Sequence, residues 1–320
     1  MKRLDHYWYD DNAVSRLLTP LSWLFCALAA LRRMAYRHGW RRAVRVGVPV
    51  VVVGNITVGG SGKTPIVVWL VDYLQRHGKR VGVVSRGYGG RAQEWPQPVG
   101  ASSDPALVGD EPVLIARRTG APMAVGPDRA AAAAFLLRRY DLDVVVSDDG
   151  LQHYRLARDV EVAVVDGRRG LGNGRCLPAG PLRERPSRLA QVDVVLTSGG
   201  DGADAVRLAG SALVNLKDGR CQALHDFGAR RVHGVAAIGD PQRFFDSLRA
   251  AGFEVVEHAF PDHYPFRAED LAFADELPVI MTEKDAVKCA GFAGEQHWYL
   301  PVEARVPEAI GRRILECIER

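Results

Sequence analysis

Hydrophobic positions along this chain fall into two recurring patterns: short unbroken apolar runs, and longer stretches with helical spacing. "VGVPVVVVGN", ending at Asn55, reads as a buried strand, and Lys63 to Gln75 as a helix that ends near Gly78. "RVGVVSRG" is the next strand, followed by a helix from Asp110 to Thr119 that Gly120 stops. "APMAVG" predicts a short strand, and "DRAAAAAFLLRRY" a helix capped by Asp128. "LDVVVSDDG", "VEVAVVDG" and "VDVVLTSGG" supply three more strands. Strands that are apolar throughout, alternating with helices, imply a mostly parallel sheet covered on both faces.

The glycine-rich "GGDG" from Gly199 to Gly202 reads as a boundary. A second set of elements begins near Arg231. "RVHGVAAIG" predicts a strand, then a helix with Asp240 as N-cap, Pro241 at its first position and Gly252 as its stop. "FEVVEHAF" and "LPVIMTEKD" add strands with helices after each. The expected organisation is an N-terminal segment over 1–45, a larger α/β unit over 46–200, a linker region over 201–230 and a smaller α/β unit over 231–320.

The most hydrophobic segment, Leu17 to Leu31, precedes all of this. It falls short of the roughly 20 apolar residues a spanning helix needs, and no small-residue cleavage site follows it. Thr19 and Pro20 read as its N-cap and first helical position. Arg32, Arg33, Arg37, Arg41, Arg42 and Arg45 follow, with Trp40 among them. An apolar helix with a basic, Trp-containing tail suits an anionic membrane surface. The alternative is a helix packed on the main body with a solvated tail.

Composition changes this picture little. With 320 residues, 47% of them hydrophobic and 25% charged, the chain can bury a sizeable core. A net charge of +4 is too small to imply a nucleic-acid partner. The five cysteines are scattered without a CxxC pair, so neither a zinc ribbon nor a disulfide framework is expected, and a reducing cytoplasm fits.

Candidate chemistry begins at "GNITVGGSGKTP", between the first strand and its helix. A phosphate loop needs glycines that let backbone N–H groups turn toward an anion, and a helix N-terminus to favour negative charge. Thr57, Gly59, Gly60, Ser61 and Gly62 form such a turn. Lys63 is placed to reach phosphates and Thr64 to hold Mg²⁺. The usual pattern has glycine where Thr57 stands, and Gly59 and Gly60 compensate. An incidental glycine-rich turn is the alternative.

Asp148 and Asp149 end a buried strand, where adjacent carboxylates repel each other unless a cation is near. A solvated Asp-Asp-Gly turn is the alternative. Asp110 in "VGDEP" is either a helix cap or a base. Asp262, His263 and Tyr264 in "FPDHYPF" include a histidine able to orient an Asp, although spacing cannot show that they meet. The Arg-, Gly- and Pro-rich stretch from Gly167 to Leu189 suits an anionic ligand or is a solvated basic loop. "MTEKDAVK" departs from the guanine-reading motif because Glu283 intervenes and Lys284 abuts Asp285; a helix cap or salt-bridged surface is expected instead.

Taken together, "GNITVGGSGKTP", "SRGYGG", "VGDEP", "DDGLQH", "GNGRCLPAGPLRE", "FPDHYPF" and "MTEKDAVK" resemble the tetraacyldisaccharide 4′-kinase family of lipid A biosynthesis. The resemblance spans about Gly54 to Lys288. It implies a P-loop NTPase-like α/β/α sandwich, a second, smaller α/β/α unit and an N-terminal membrane-associating helix. It also implies transfer of the ATP γ-phosphate to the 4′-hydroxyl of an acylated disaccharide 1-phosphate at the cytoplasmic face of the bacterial inner membrane. By motif position, Lys63 and Thr64 hold phosphates and Mg²⁺, Asp110 is the base, and His263 orients it. Asp148 is expected at the metal and Asp149 in the catalytic charge set. Glu111, Arg129, Gln152, His153, Arg175 and Arg183 are expected to contact substrate or nucleotide. No nucleic acid and no obligatory protein partner are expected. A membrane-recruited ATPase switch and a soluble small-molecule kinase or ligase use similar loops, and neither needs a base poised for a lipid acceptor.

Overall fold

The structure, a computed structural model, describes residues 4–199 and 205–320. Helix α1 (Ala13–Arg37) leads to β1 (Val50–Gly54) and α2 (Lys63–Arg76). Next come β2 (Val81–Ser85), β3 (Gln97–Val99), a one-turn α3 (Pro105–Val108), α4 (Asp110–Thr119), β4 (Met123–Val125) and α5 (Arg129–Leu137). β5 (Val144–Asp148), β6 (Val160–Asp166), β7 (Val194–Ser198), β8 (Ala205–Ala209), β9 (Ala212–Asn215) and β10 (Cys221–Ala223) follow. The chain then forms β11 (Arg231–Ala236), α6 (Pro241–Ala250), β12 (Glu254–Ala259), β13 (Val279–Thr282) and α7 (Glu283–Cys289). It ends with β14 (His297–Leu300), β15 (Glu303–Arg305) and α8 (Glu308–Ile318).

The first sheet has the order β15-β8-β7-β6-β1-β5-β2-β4-β3. Its pairs from β8 to β4 are parallel, and β15 and β3 close the edges antiparallel. Strand alternation explains the unbroken valine run of β1. Val51 and Val53 join the core under α2, α4 and α8, whereas Val50 and Val52 face α5. Burying each such side chain contributes about 1.5–3 kcal/mol relative to exposure. Small residues in α5 (Ala130, Ala132, Ala133) let that helix lie close to the sheet. β1 sits between β5 and β6, so the loops leaving the carboxyl ends of β1 and β5 open into one crevice.

The second sheet has the order β10-β9-β14-β13-β11-β12, with α6 and α7 on opposite faces. Asp240 caps α6 by accepting from the Arg243 N–H, and Pro241 stands in its first turn, as the sequence predicts.

Three expectations change. The stretch 201–230, expected to be a linker, carries β8 in the first sheet and β9 and β10 in the second; of the "GGDG" boundary, residues 200–202 lie outside the described residues. The C-terminal segment also leaves the smaller unit. β15 pairs with β8, and α8 buries Ile310, Ile314 and Ile318 in the first core because their spacing puts them on one face.

The second change is at α1, which starts well before Thr19. Asn12 is the N-cap, accepting from the Ser15 N–H at 2.9 Å, and Pro20 lies inside the helix. Pro20 withholds the N–H that would reach the Arg16 carbonyl. The adjacent Thr19 hydroxyl donates to the Ser15 carbonyl at 2.9 Å. With 25 residues the helix is long and apolar enough to cross a membrane by length and composition, and little of it is buried.

The third change concerns the cysteines. Cys26 of α1 and Cys176 of the 167–189 loop are joined as a disulfide, with Cα atoms 6.3 Å apart, and Ser22 Oγ donates to the Cys176 carbonyl at 2.8 Å. A pairing across 150 residues depends on where α1 docks, which spacing does not reveal.

Candidate active site

The turn after β1 is held by hydrogen bonds from within it and from the 167–189 loop. Asn55, fully buried, donates through Nδ2 to Ser61 Oγ at 3.0 Å and Thr57 Oγ1 at 3.3 Å. The Val58 N–H donates to the Pro181 carbonyl at 2.8 Å, and the Arg183 N–H to the Ile56 carbonyl at 2.7 Å. The Arg-rich loop therefore braces the glycine-rich one. Gly62 is the N-cap of α2 at φ 76°, so Lys63 and Thr64 open the helix and its first amide groups face the crevice.

Opposite this turn stand the two acids at the end of β5. Lys63 Nζ lies 3.5 Å from Asp149 Oδ1, and Arg183 Nη1 lies 3.2 Å from both Asp149 oxygens. Burial pushes the Asp149 carboxyl up, but Lys63, Arg183 and Arg129 outweigh it and hold the group at about 2. Asp149 also adopts the left-handed backbone conformation, at φ 45°. Asp148 points into the fold, where Ser85 Oγ donates to it at 2.8 Å. Burial, then the charges of Glu111 and Asp149, push its carboxyl up to about 7. Asp149 is thus paired with cations, whereas the charge of Lys63 does not offset burial at Asp148.

Gln152 and Arg129 support this arrangement. Gln152 Nε2 donates to the Asn55 carbonyl at 3.0 Å and to Glu184 Oε1 at 2.8 Å, and its Oε1 accepts from Arg183 Nη1 at 3.4 Å. Arg129, also buried, donates through Nη2 to the Asp149 carbonyl at 3.3 Å. His153 accepts the Arg129 N–H at 3.3 Å at the start of α5. Burial and the Arg129 charge push its imidazole down to about 4, which suits that accepting role. Arg175 does not join them. It pairs with Asp11 at 2.9 Å, beside the N-terminus of α1.

The second cluster comes from both units. Asp110 opens α4 and is 5% exposed, and its Oδ1 accepts from the Glu111 N–H at 2.9 Å. His263 arrives from the loop after β12 in a left-handed conformation (φ 60°), with Nδ1 3.0 Å from Asp110 Oδ2. Burial opposes the Asp110 charge, but His263, Lys284 and Lys288 hold its carboxyl below the ordinary value. The Tyr88 ring of "SRGYGG" lies 5.2 Å from the His263 ring. The smaller unit also comes close to the glycine-rich turn: a Cβ placed on Gly239 would lie 3.3 Å from the Gly60 nitrogen and 3.7 Å from Asp262 Oδ2.

The structure brings Asp110 and His263 together, and gathers Lys63, Asp149, Gln152, Arg129 and Arg183 around the turn. Asn55, Glu184 and Lys284 were not singled out as site residues. Asn55 carried a signal, being a polar residue at the end of an apolar strand; Lys284 carried none beyond its motif. Thr282 does cap α7, accepting from the Asp285 N–H at 3.1 Å. Yet Lys284 projects from that cap into the site, with Nζ 3.2 Å from both Glu111 and Asp262.

Comparisons with known proteins identify the family. The family model described as "Tetraacyldisaccharide-1-P 4'-kinase" matches residues 14–319. The tetraacyldisaccharide 4'-kinase of Alkalilimnicola ehrlichii is 57% identical over 99% of this chain and 97% of its own. That of Nitrosococcus oceani is 51% identical over 98% of this chain and 94% of its own. Among solved structures, LpxK from Aquifex aeolicus in complex with ATP superposes with a TM-score of 0.80 at 27% identity, covering 95% of this chain and 99% of that one. The chain belongs to the tetraacyldisaccharide-1-phosphate 4′-kinase family.

Proposed function

We propose that this chain transfers the γ-phosphate of ATP to the 4′-hydroxyl of a tetraacyldisaccharide 1-phosphate. The observation that carries the reading is the Asp110–His263 pair, contributed by different units, with the smaller unit's Gly239 close to both Gly60 of the turn and Asp262 beside the histidine. In this reading the α2 N-terminus and Lys63 hold the nucleotide phosphates. Asp110 accepts the proton of the 4′-hydroxyl as its oxygen attacks the γ-phosphorus and the bond to ADP breaks. A carboxylate of low basicity suffices, because the bond from the attacking oxygen to phosphorus is only slightly formed in a loose phosphoryl-transfer transition state and the hydroxyl needs little prior deprotonation. His263 fixes the carboxylate by donating from Nδ1. Arg183 and Lys63 hold Asp149 ionised, and Glu111 and Asp262 fix Lys284.

Thr64 and Asp148 are the residues that would hold Mg²⁺. The fit rests on Asp148, a buried carboxyl with a hydroxyl partner, whose carboxyl burial pushes up against the charge of Lys63. Among the described residues no cluster of three or more His, Cys, Asp or Glu side chains could bind a metal by itself. That suits an ion that takes one or two protein ligands and completes its shell with phosphate and water. When bound, the ion neutralises charge on the transferring phosphates.

We place the enzyme on the cytoplasmic face of the inner membrane, held by α1. Against the protein this helix turns Ser15, Ser22 and Cys26. Leu17, Leu21, Trp23, Leu24, Leu28 and Leu31 face outward. A helix on a soluble surface shows the reverse. An apolar outer face ending in arginines matches a bilayer with anionic headgroups, where an acylated acceptor resides.

The test is incubation with γ-labelled ATP, Mg²⁺ and detergent-dispersed tetraacyldisaccharide 1-phosphate. Label is expected in the lipid, and Asp110→Asn is expected to slow its appearance by about 10² or more while ATP binding persists. Label that never enters the lipid while ATP is hydrolysed would overturn the kinase reading; undiminished turnover in the variant would overturn the assignment of the base.

A further inference from the structure

We infer that Lys284 is a positioning residue that sets the tautomer of His263 and so keeps Asp110 able to accept a proton. This rests on the assignment of Asp110 as base. The argument is one of donors and acceptors. An ammonium has three N–H donors and no lone pair. Lys284 Nζ has three neighbours at bonding distance: Asp262 Oδ1 at 3.2 Å, Glu111 Oε1 at 3.2 Å and His263 Nε2 at 3.3 Å. Two are carboxylate oxygens, so the third must also accept, which leaves Nε2 without a proton. The single proton of a neutral imidazole then sits on Nδ1, which faces Asp110 Oδ2 at 3.0 Å.

The neighbouring charges set the protonation of each partner. Burial alone would discharge Lys284, but Glu111, Asp110 and Asp262 keep its ammonium above the ordinary value. The Asp110 hydrogen bond, with the Asp110 and Asp262 charges, raises the His263 imidazole above its ordinary value, and burial and the Lys284 charge limit that rise. The other groups around the ring are Asp262 on its own loop, Glu111 on α4, Lys288 and Asp285 on α7, and the Tyr88 ring. Lys288 is bound to Asp285 at 2.8 Å and lies 3.9 Å from Asp110, so Lys284 is the cation that touches the imidazole. An imidazolium would set two N–H donors against each other. It would also tie the Asp110 carboxylate to a full positive charge and lower its proton affinity. Because Lys284 lies on the smaller unit and Glu111 on the larger, the same ammonium joins the units where the base is formed.

The first measurement is the ¹⁵N spectrum of the His263 ring in the full-length protein, followed from neutral to alkaline pH. The ring that has lost its second proton is expected to keep the remaining one on Nδ1; a neutral ring protonated on Nε2 in the parent protein overturns the inference whatever any variant does. The second is the pH dependence of kcat/KM. Removing the charge in Lys284→Met lets His263 hold its second proton to higher pH and makes Asp110 easier to protonate. Both effects move the acidic limb the same way, upward by about one pH unit. ATP titration is common to both proteins and cancels in the comparison. Lys284→Arg, which keeps a charge without an acceptor, is expected to return the limb toward its parent position. A Lys284→Met enzyme that is slower at every pH with an unmoved limb would make the residue merely structural and overturn the inference. The base assignment fails separately, if Asp110→Asn retains full turnover.

Discussion

Replacing Gly62 with Ala probes whether the phosphate-facing turn depends on its backbone shape. Gly62 holds φ 76° at the N-cap of α2, and no side chain caps the helix there. Left-handed backbone costs an L-residue roughly 1–2 kcal/mol. The new Cβ would also lie 2.7 Å from Leu208 Cδ1 of β8 and 3.5 Å from Ser198 Oγ of β7. The end of the Leu208 side chain can swing aside, so this overpacking adds about 1 kcal/mol. The sum is about 2–3 kcal/mol, and with about 2.1 cal/mol/K of unfolding entropy per residue it lowers Tm by about 3–5 °C. If the backbone relaxes instead, the first amide groups of α2 turn from the phosphates, and ATP affinity falls by about tenfold, or about 1.4 kcal/mol. Gly60→Ala is the control: its Cβ meets nothing within 4 Å, and stability is expected within about 1 kcal/mol of the parent. Thermal melts followed by circular dichroism and calorimetric ATP titration read both variants. A Gly62→Ala protein with parental Tm and parental ATP affinity would refute the reasoning, as would a Gly60→Ala protein that melts equally early.

Two further outcomes follow from the packing. Substituting Trp23, Leu24 and Leu28 by Glu removes exposed apolar groups worth about 1.5–3 kcal/mol each on burial in lipid, so sedimentation with anionic vesicles should be lost. Tm should hold, because Ser22 and Cys26 lie on the other face; continued sedimentation would point to a different attachment site. Ile314→Ala should cost about 2–5 kcal/mol in denaturant melts, because Ile314 is fully buried in the first core, whereas Arg313→Ala on the exposed face should stay within about 0.5 kcal/mol. Equal effects would mean that α8 does not complete the larger unit.

Much of the site could be read in the chain because its parts are local. The turn after β1, its helix and the acids ending β5 each depend on a strand followed at once by a loop, and apolar runs mark such strands. Helix α4 runs from Asp110 to Thr119, the bounds its punctuation predicts. The roles proposed for Asp110 and His263 came from motif resemblance, and their meeting is a fact of tertiary structure, since 153 residues separate them. Arg175 shows the opposite case. It belongs to the same basic loop as Arg183, yet that loop runs from the phosphate turn to α1, and only Arg183 lies at the acid pair.

By itself the sequence determined the alternation of strands and helices, the position of the glycine-rich turn between β1 and α2 and the apolar character of α1, because each depends on residues close in the chain. Tertiary structure decided the return of β15 and α8 to the first sheet, the Cys26–Cys176 pairing and the face of α1 left outward. It also decided that Lys284 stands beside His263. Those outcomes depend on which surfaces meet after the elements form. A short amphipathic helix can bury its apolar face on either of two units, and a lysine at the start of α7 has the same local sequence whether it ends in water or between two carboxylates.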